Sequence, residues 1–176
     1  MLQAEQTKTI PQPELYTIGY EGASQEALLH TLIYYDIVTL LDIRELPQSR
    51  KPGLSKTALG LAAAQYGIRY QHIRALGTPR DIRYRRKIDH DADAFRDGYL
   101  AHLALQDEAM ETLAAQALTE KCCLLCYEAD AQECHRWFVA ERAVEIAEQR
   151  GTSLSIIHLR IMEISEMQKL QEKDMP

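Results

Sequence analysis

Nowhere does this sequence hold an apolar run approaching the roughly 20 residues needed to span a bilayer, so no membrane partner is expected. The opening residues MLQAEQTKTIPQPE are polar and lack the apolar core of a secretory signal. The expected setting is therefore the cytoplasm. Internal repeats and low-complexity segments are also lacking, which leaves an ordinary globular chain of one domain at 176 residues. Cysteine is scarce and confined: Cys122, Cys123, Cys126 and Cys134 all fall within thirteen residues. A disulfide framework spreads its cysteines to close long loops, so this clustering points to reduced thiols that pack, bind metal or react.

Charge is present but unevenly placed. The net charge is −6, yet residues 42–90 hold eleven Lys/Arg against four Asp/Glu, a local balance of +7. The remainder then carries nine basic and twenty-two acidic residues, a balance of −13. Such a concentration of cations in an acidic chain suits either an anionic partner or solvated helix faces.

Apolar runs alternate with capped helical segments. Strands are expected at Leu15–Gly19, Ile37–Ile43, Ile68–Ile73, Lys121–Tyr127 and Leu154–Leu159. Ser24 and Ser55 are placed to cap helices, and Gly67 to end one. The stretch 75–90 is long and basic, with Arg80–Lys87 open to a surface-loop reading, and one or two helices follow over Ala92–Glu120. Asp130 and Glu133 have capping-box spacing and would open a helix running to Gly151, which puts Cys134 about one turn inside it. The expected fold is a single α/β domain over residues 14–160, a mostly parallel sheet of about five strands flanked by helices. Residues 1–13 are expected to form a flexible tail and 161–176 a C-terminal helical tail. Strand order and oligomeric state are not readable.

In parallel sheets the ligand site lies beyond the carboxyl ends of the strands. Here those ends carry Tyr20-Glu21, Asp42 with Arg44, His72, and Cys126-Tyr127-Glu128, all polar or reactive. The segment CYEADAQECHR (126–136) adds Cys134, His135 and Arg136 at the expected helix start, where exposed N–H groups attract anions and favour thiolates. Cys126, Glu128, Cys134 and His135 are thus the candidate catalytic groups. Tyr20, Glu21, Asp42, Arg44, Ser49, Arg50, His72 and Arg136 are the candidate binding groups. The mid-strand Cys122 and Cys123 are expected to pack as small apolar residues. Arg80–Lys87 (RDIRYRRK) interleaves five cations with Tyr84, a pattern that suits a nucleic-acid backbone as well as a solvated surface.

No cofactor is expected. The spacing C-x7-C-H matches no usual zinc pattern and no second C-x-x-C pair exists, although Cys126, Glu128, Cys134 and His135 are ligand types. A phosphatase-type C-x5-R loop is absent, because Gln132 stands where the arginine would be. The residues leave three readings open: a thiol enzyme on a phosphate-bearing substrate, a non-catalytic module for nucleic acid or an anionic metabolite, and a metal-binding protein.

YTIGYEG (16–22), LLDIRELPQSR (40–50), Tyr70-x-His72 with Leu76-Gly77, LLCYEAD (124–130) and CHR (134–136) together resemble the family called domain of unknown function 488. The five motifs span about residues 15–160. One departure is Ala131, where members often carry proline at the start of a helix. The resemblance implies a cytoplasmic bacterial or archaeal α/β domain with a shared polar site, and suggests a link to nucleic-acid or nucleotide metabolism.

Overall fold

A computed structural model describes residues 12–163 and residue 166. It contains one sheet of five parallel strands: β1 Glu14–Gly19, β2 Thr39–Asp42, β3 Arg69–His72, β4 Cys122–Cys126 and β5 Ser155–Leu159. The order across the sheet is β3-β2-β4-β1-β5. All five expected strands are present, each trimmed by at most two residues at either end or extended by one. The expected tail over 1–13 lies outside the described residues except Gln12 and Pro13. The carbonyl of Pro13 accepts from Ser155 N–H at 3.0 Å and so extends the pairing of β1 with β5. The expected C-terminal helix likewise falls almost wholly outside them.

The helices are α1 Gln25–Tyr34, α2 Lys56–Gln65, α3 Arg80–Asp89, α4 Ala92–Leu103, α5 Asp107–Ala117 and α6 Arg136–Gln149, with a short 3-10 turn at Arg74–Leu76. Ser24 Oγ accepts from Ala27 N–H at 3.1 Å, the cap the sequence predicts. Ser55 stands at the start of α2, but its hydroxyl bonds Ser49 instead of the helix. Gly67 follows the end of α2 at φ +74°, the left-handed conformation that glycine adopts without strain.

Two expectations fail. The run Arg80–Lys87 is helix and not a surface loop: Pro79, tolerated where an N–H needs no partner, precedes α3, and Arg80, Arg83 and Arg85 are exposed along that helix. The helix expected from Asp130 begins six residues later. Asp130 Oδ1 accepts from Gln132 N–H at 2.9 Å and Cys134 N–H bonds Ala131 O at 3.0 Å, so the capping side chain closes a turn instead of starting a helix.

The sheet is buried on both faces, as its apolar strands require. Helices α1 and α2 cover one side, where Leu28, Leu29, Leu32, Leu59 and Ala63 meet Ile18, Leu40, Cys123 and Leu125. Helices α4, α5 and α6 cover the other, with Tyr99, Leu113, Val139 and Ala143 against Leu15, Leu41, Cys122 and Leu124. Cys122 and Cys123 therefore pack into opposite halves of the core, as expected. This arrangement fixes where the carboxyl edge of the sheet opens. The chain leaves β1 and β2 for one face and β4, lying between them, for the other. Connections that part in this way open a crevice at the carboxyl edge, here over the end of β4.

Candidate functional site

The crevice is a hollow of about 240 Å³ lined by Tyr20 after β1, Arg44 and Glu45 after β2, Arg83 of α3, Phe95 of α4, and Cys126, Tyr127, Glu128 and His135 around the end of β4. A second hollow adjoins it, sharing Tyr20, Gln48 and Tyr127 and adding Ser49, Arg50 and Lys51. The sequence pattern placed polar groups on four strand ends, and the parallel sheet does bring them to one edge. They divide there into two sets.

The first set holds the scaffold. Asp42 is fully buried and receives Arg44 Nε at 2.8 Å, Arg44 Nη2 at 2.5 Å and Arg44 N–H at 3.1 Å, together with the hydroxyl of Tyr70. The remaining Nη1 of Arg44 donates to Tyr20 Oη and to Leu54 O, both at 2.9 Å. With these donors engaged, Arg44 braces the scaffold from the wall of the crevice, which it also lines. His72 Nε2–H donates to Arg44 O at 2.8 Å. Glu21 accepts from Ala129 N–H at 3.1 Å. Arg136, 1% exposed, donates to the carbonyls of Glu128 and Ala129 and to Thr17 Oγ1. It pins the loop that carries Glu128 and does not enter the crevice. Ser49 bonds within its own loop while lining the second hollow.

The second set forms the floor of the crevice. Cys126 S–H donates to Glu128 Oε2 at 3.2 Å and lies 3.6 Å from His135 Nδ1. Cys134 Sγ lies 3.8 Å from the same nitrogen. The other ring nitrogen, Nε2, donates to the carbonyl of Ile43 at 3.0 Å. A carbonyl only accepts, so the proton sits on Nε2 and the Nδ1 lone pair faces both thiols. Tyr99 holds the imidazole edge-on at 5.1 Å and is anchored through its hydroxyl to Leu76 O at 2.6 Å. Cys126, Cys134 and His135 each offer a ligand atom within 4.8 Å of the other two, which makes them the group among the described residues suited to a metal.

Electrostatics follow from burial. Burial pushes the Cys134 thiol well above its ordinary value, and its contacts with Cys126 add to this. For His135, burial opposes the charged form but is outweighed by Cys134, the Ile43 carbonyl and Glu128, and the imidazole is raised. Burial also opposes ionisation of Glu128, yet hydrogen bonds from Cys134, its own backbone and Cys126 hold its carboxyl below the usual range. The floor therefore sets a carboxylate held below its usual range at Glu128 beside a Cys134 thiol that burial holds against ionisation.

The sequence did not single out Glu45, Thr78, Phe95 or Tyr99. Glu45 Oε2 forms an ion pair with Arg83 Nη2 at 2.9 Å across the crevice, and Arg83 belongs to the basic run without having been distinguished within it. No local signal marks the other three, which reach the site through packing.

The family model described as Domain of unknown function DUF488 matches residues 24–143. The chain belongs to this family. The match spans the second and third strands, the basic helix, β4 and the Cys134-His135-Arg136 run. No curated protein and no solved structure matches the chain. Among the described residues no helix is long and apolar enough to cross a membrane.

Proposed function

We propose that this protein is an enzyme that acts in the crevice over β4 on an anionic, phosphate-bearing substrate, a nucleotide or nucleic-acid end being the class that fits. One observation carries the reading. Cys126 meets an imidazole lone pair at 3.6 Å and a carboxylate at 3.2 Å on the floor of a crevice lined by an arginine. A reactive atom, a proton acceptor and an orienting bond to the acceptor's far side are the elements of an active site. Arg83 lines this crevice, Arg50 and Lys51 line the adjoining hollow, and all three are cationic groups suited to phosphate. Tyr20 and Tyr127 pack edge to face at 5.5 Å between the hollows, an aromatic wall against which a base can stack.

Burial of Cys134 and the use of Arg136 as a loop pin favour a second reading, a module that holds nucleic acid or an anionic metabolite without chemistry. Assays of nucleotides, phosphate esters and short oligonucleotides separate the two. The enzyme reading expects turnover that falls on the order of 10²–10⁴-fold in Cys126→Ser or His135→Asn, and weaker substrate affinity in Arg83→Ala. Saturable binding without turnover leaves the module. Neither binding nor turnover across the panel ends both.

A further inference from the structure

The geometry points to a transition-metal site, best suited to Zn2+, held by Cys126 Sγ, Cys134 Sγ and His135 Nδ1, with its open position towards Glu128 and the crevice. The inference rests on the reading of the floor as the reactive part of the crevice and names what operates there.

Zinc takes sulfur at about 2.3 Å and imidazole nitrogen at about 2.0–2.1 Å in tetrahedral array, so a sulfur and a nitrogen sharing one ion stand about 3.6 Å apart. The two thiols lie 3.6 and 3.8 Å from Nδ1. Both sulfurs therefore stand at about the separation from Nδ1 that one shared ion requires. An ion between the three atoms satisfies all of them at once.

The far side of the ring is also set for a metal. Metal-bound histidines almost always donate their other N–H to a carbonyl or carboxylate, which fixes the tautomer and the ring plane. His135 does this through Nε2 to Ile43 O at 3.0 Å, and Tyr99 blocks rotation from the side. The imidazole is thus held with its lone pair inward before anything binds.

The donor set selects the ion. Two sulfurs and an imidazole favour zinc and neighbouring soft ions over Mg2+ or Ca2+, which take oxygen ligands. Three protein ligands leave one position open, as in catalytic and not in structural zinc sites. Cys126, Glu128 and His135 line the crevice, so that position opens to substrate. Sequence spacing hid the site because Cys126 ends a strand while Cys134 and His135 follow a turn, and the turn at 130–134 folds them back over it.

The test uses the full chain, reduced and stripped of metal, titrated with Co2+ and then Zn2+. The expected result is one Co2+ per chain, with the visible bands of a tetrahedral site and a near-ultraviolet thiolate-to-cobalt band, all displaced by Zn2+. Cys134→Ser should weaken cobalt binding about tenfold or more, while Cys122→Ser, altering a thiol in the core, leaves the spectrum unchanged. A wild-type chain that takes up no cobalt or zinc overturns the site, and so does an unchanged spectrum in a folded Cys134→Ser variant. If that variant does not fold, the wild-type titration decides alone. Nucleotide turnover by metal-free protein would remove the metal and leave the enzyme. Metal uptake without binding of any phosphate compound would remove the substrate class and leave the metal.

Discussion

At the scale of single residues, the site separates groups that bear load from groups that face the crevice. Asp42 and Arg44 form a buried pair with a further partner, Tyr70, on the edge strand. Removing one member of such a pair strands the other without a counter-charge, which costs about 3–5 kcal/mol. Arg44→Met is therefore expected to shift the urea midpoint strongly downward, whereas Arg50→Ala, at an exposed position, should stay within about 0.5 kcal/mol of the parent. The core thiols give a pH dependence. Burial pushes Cys122 up to about 12 from an ordinary 9.0, and burial raises Cys123 and Tyr70 as well. Below the ordinary thiol value these groups are neutral in folded and unfolded chains alike, and their contribution is intact. Above it only the unfolded chain ionises them readily, so stability falls as pH climbs from about 9 towards 12. Urea midpoints measured below and above that onset check the sign.

At the scale of elements, the junctions around β4 set the geometry. A Cβ on Gly19 would lie 1.7 Å from the carbonyl oxygen of Glu128. Gly19→Ala must therefore push aside the loop that Arg136 pins, with a loss of about 1–3 kcal/mol typical of overpacking and a poorer cobalt spectrum if the loop carries Glu128 with it. Thermal unfolding and the cobalt titration together check this. The same junctions show what a sequence conveys. IVTLLDI, LYTIG and KCCLLCY declare themselves as strands by continuous apolar character, and their polar ends announce the site edge. Asp130 and Glu133 do not declare whether they cap a helix or close a turn, since one spacing serves both. That choice is made by Arg136 reaching back to two carbonyls, a contact between α6 and the loop after β4. The role of Arg44 was hidden for a similar reason: a guanidinium at a strand end looks the same whether its donors face a ligand or Asp42.

At the scale of the whole molecule, the surplus of cations in residues 42–90 is only partly gathered at the crevice. Arg83, Arg50 and Lys51 line the hollows, while Arg44 is committed inside and Arg69 pairs with Glu120 away from the site. A protein of net charge −6 with so few cations at its cleft should hold a nucleotide or a strand end better than a long duplex. Affinity for an oligonucleotide should then show a shallow dependence on salt, checked by titration at several ionic strengths. The strand order carries a consequence of another kind. β4 occupies the middle of the sheet, between β1 and β2, yet it is synthesised after β1, β2 and β3. As the chain emerges from the ribosome, the first two strands have no ladder to share, because the strand that joins them has not been made. Until β4 is made, β2 has only β3 to pair with and β1 is cut off from both, so closure of the sheet comes in a late step that also delivers Cys126 to its place. A chain stopped before Cys122 should accordingly remain unfolded and chaperone-dependent, and protease resistance should appear abruptly once β4 is included.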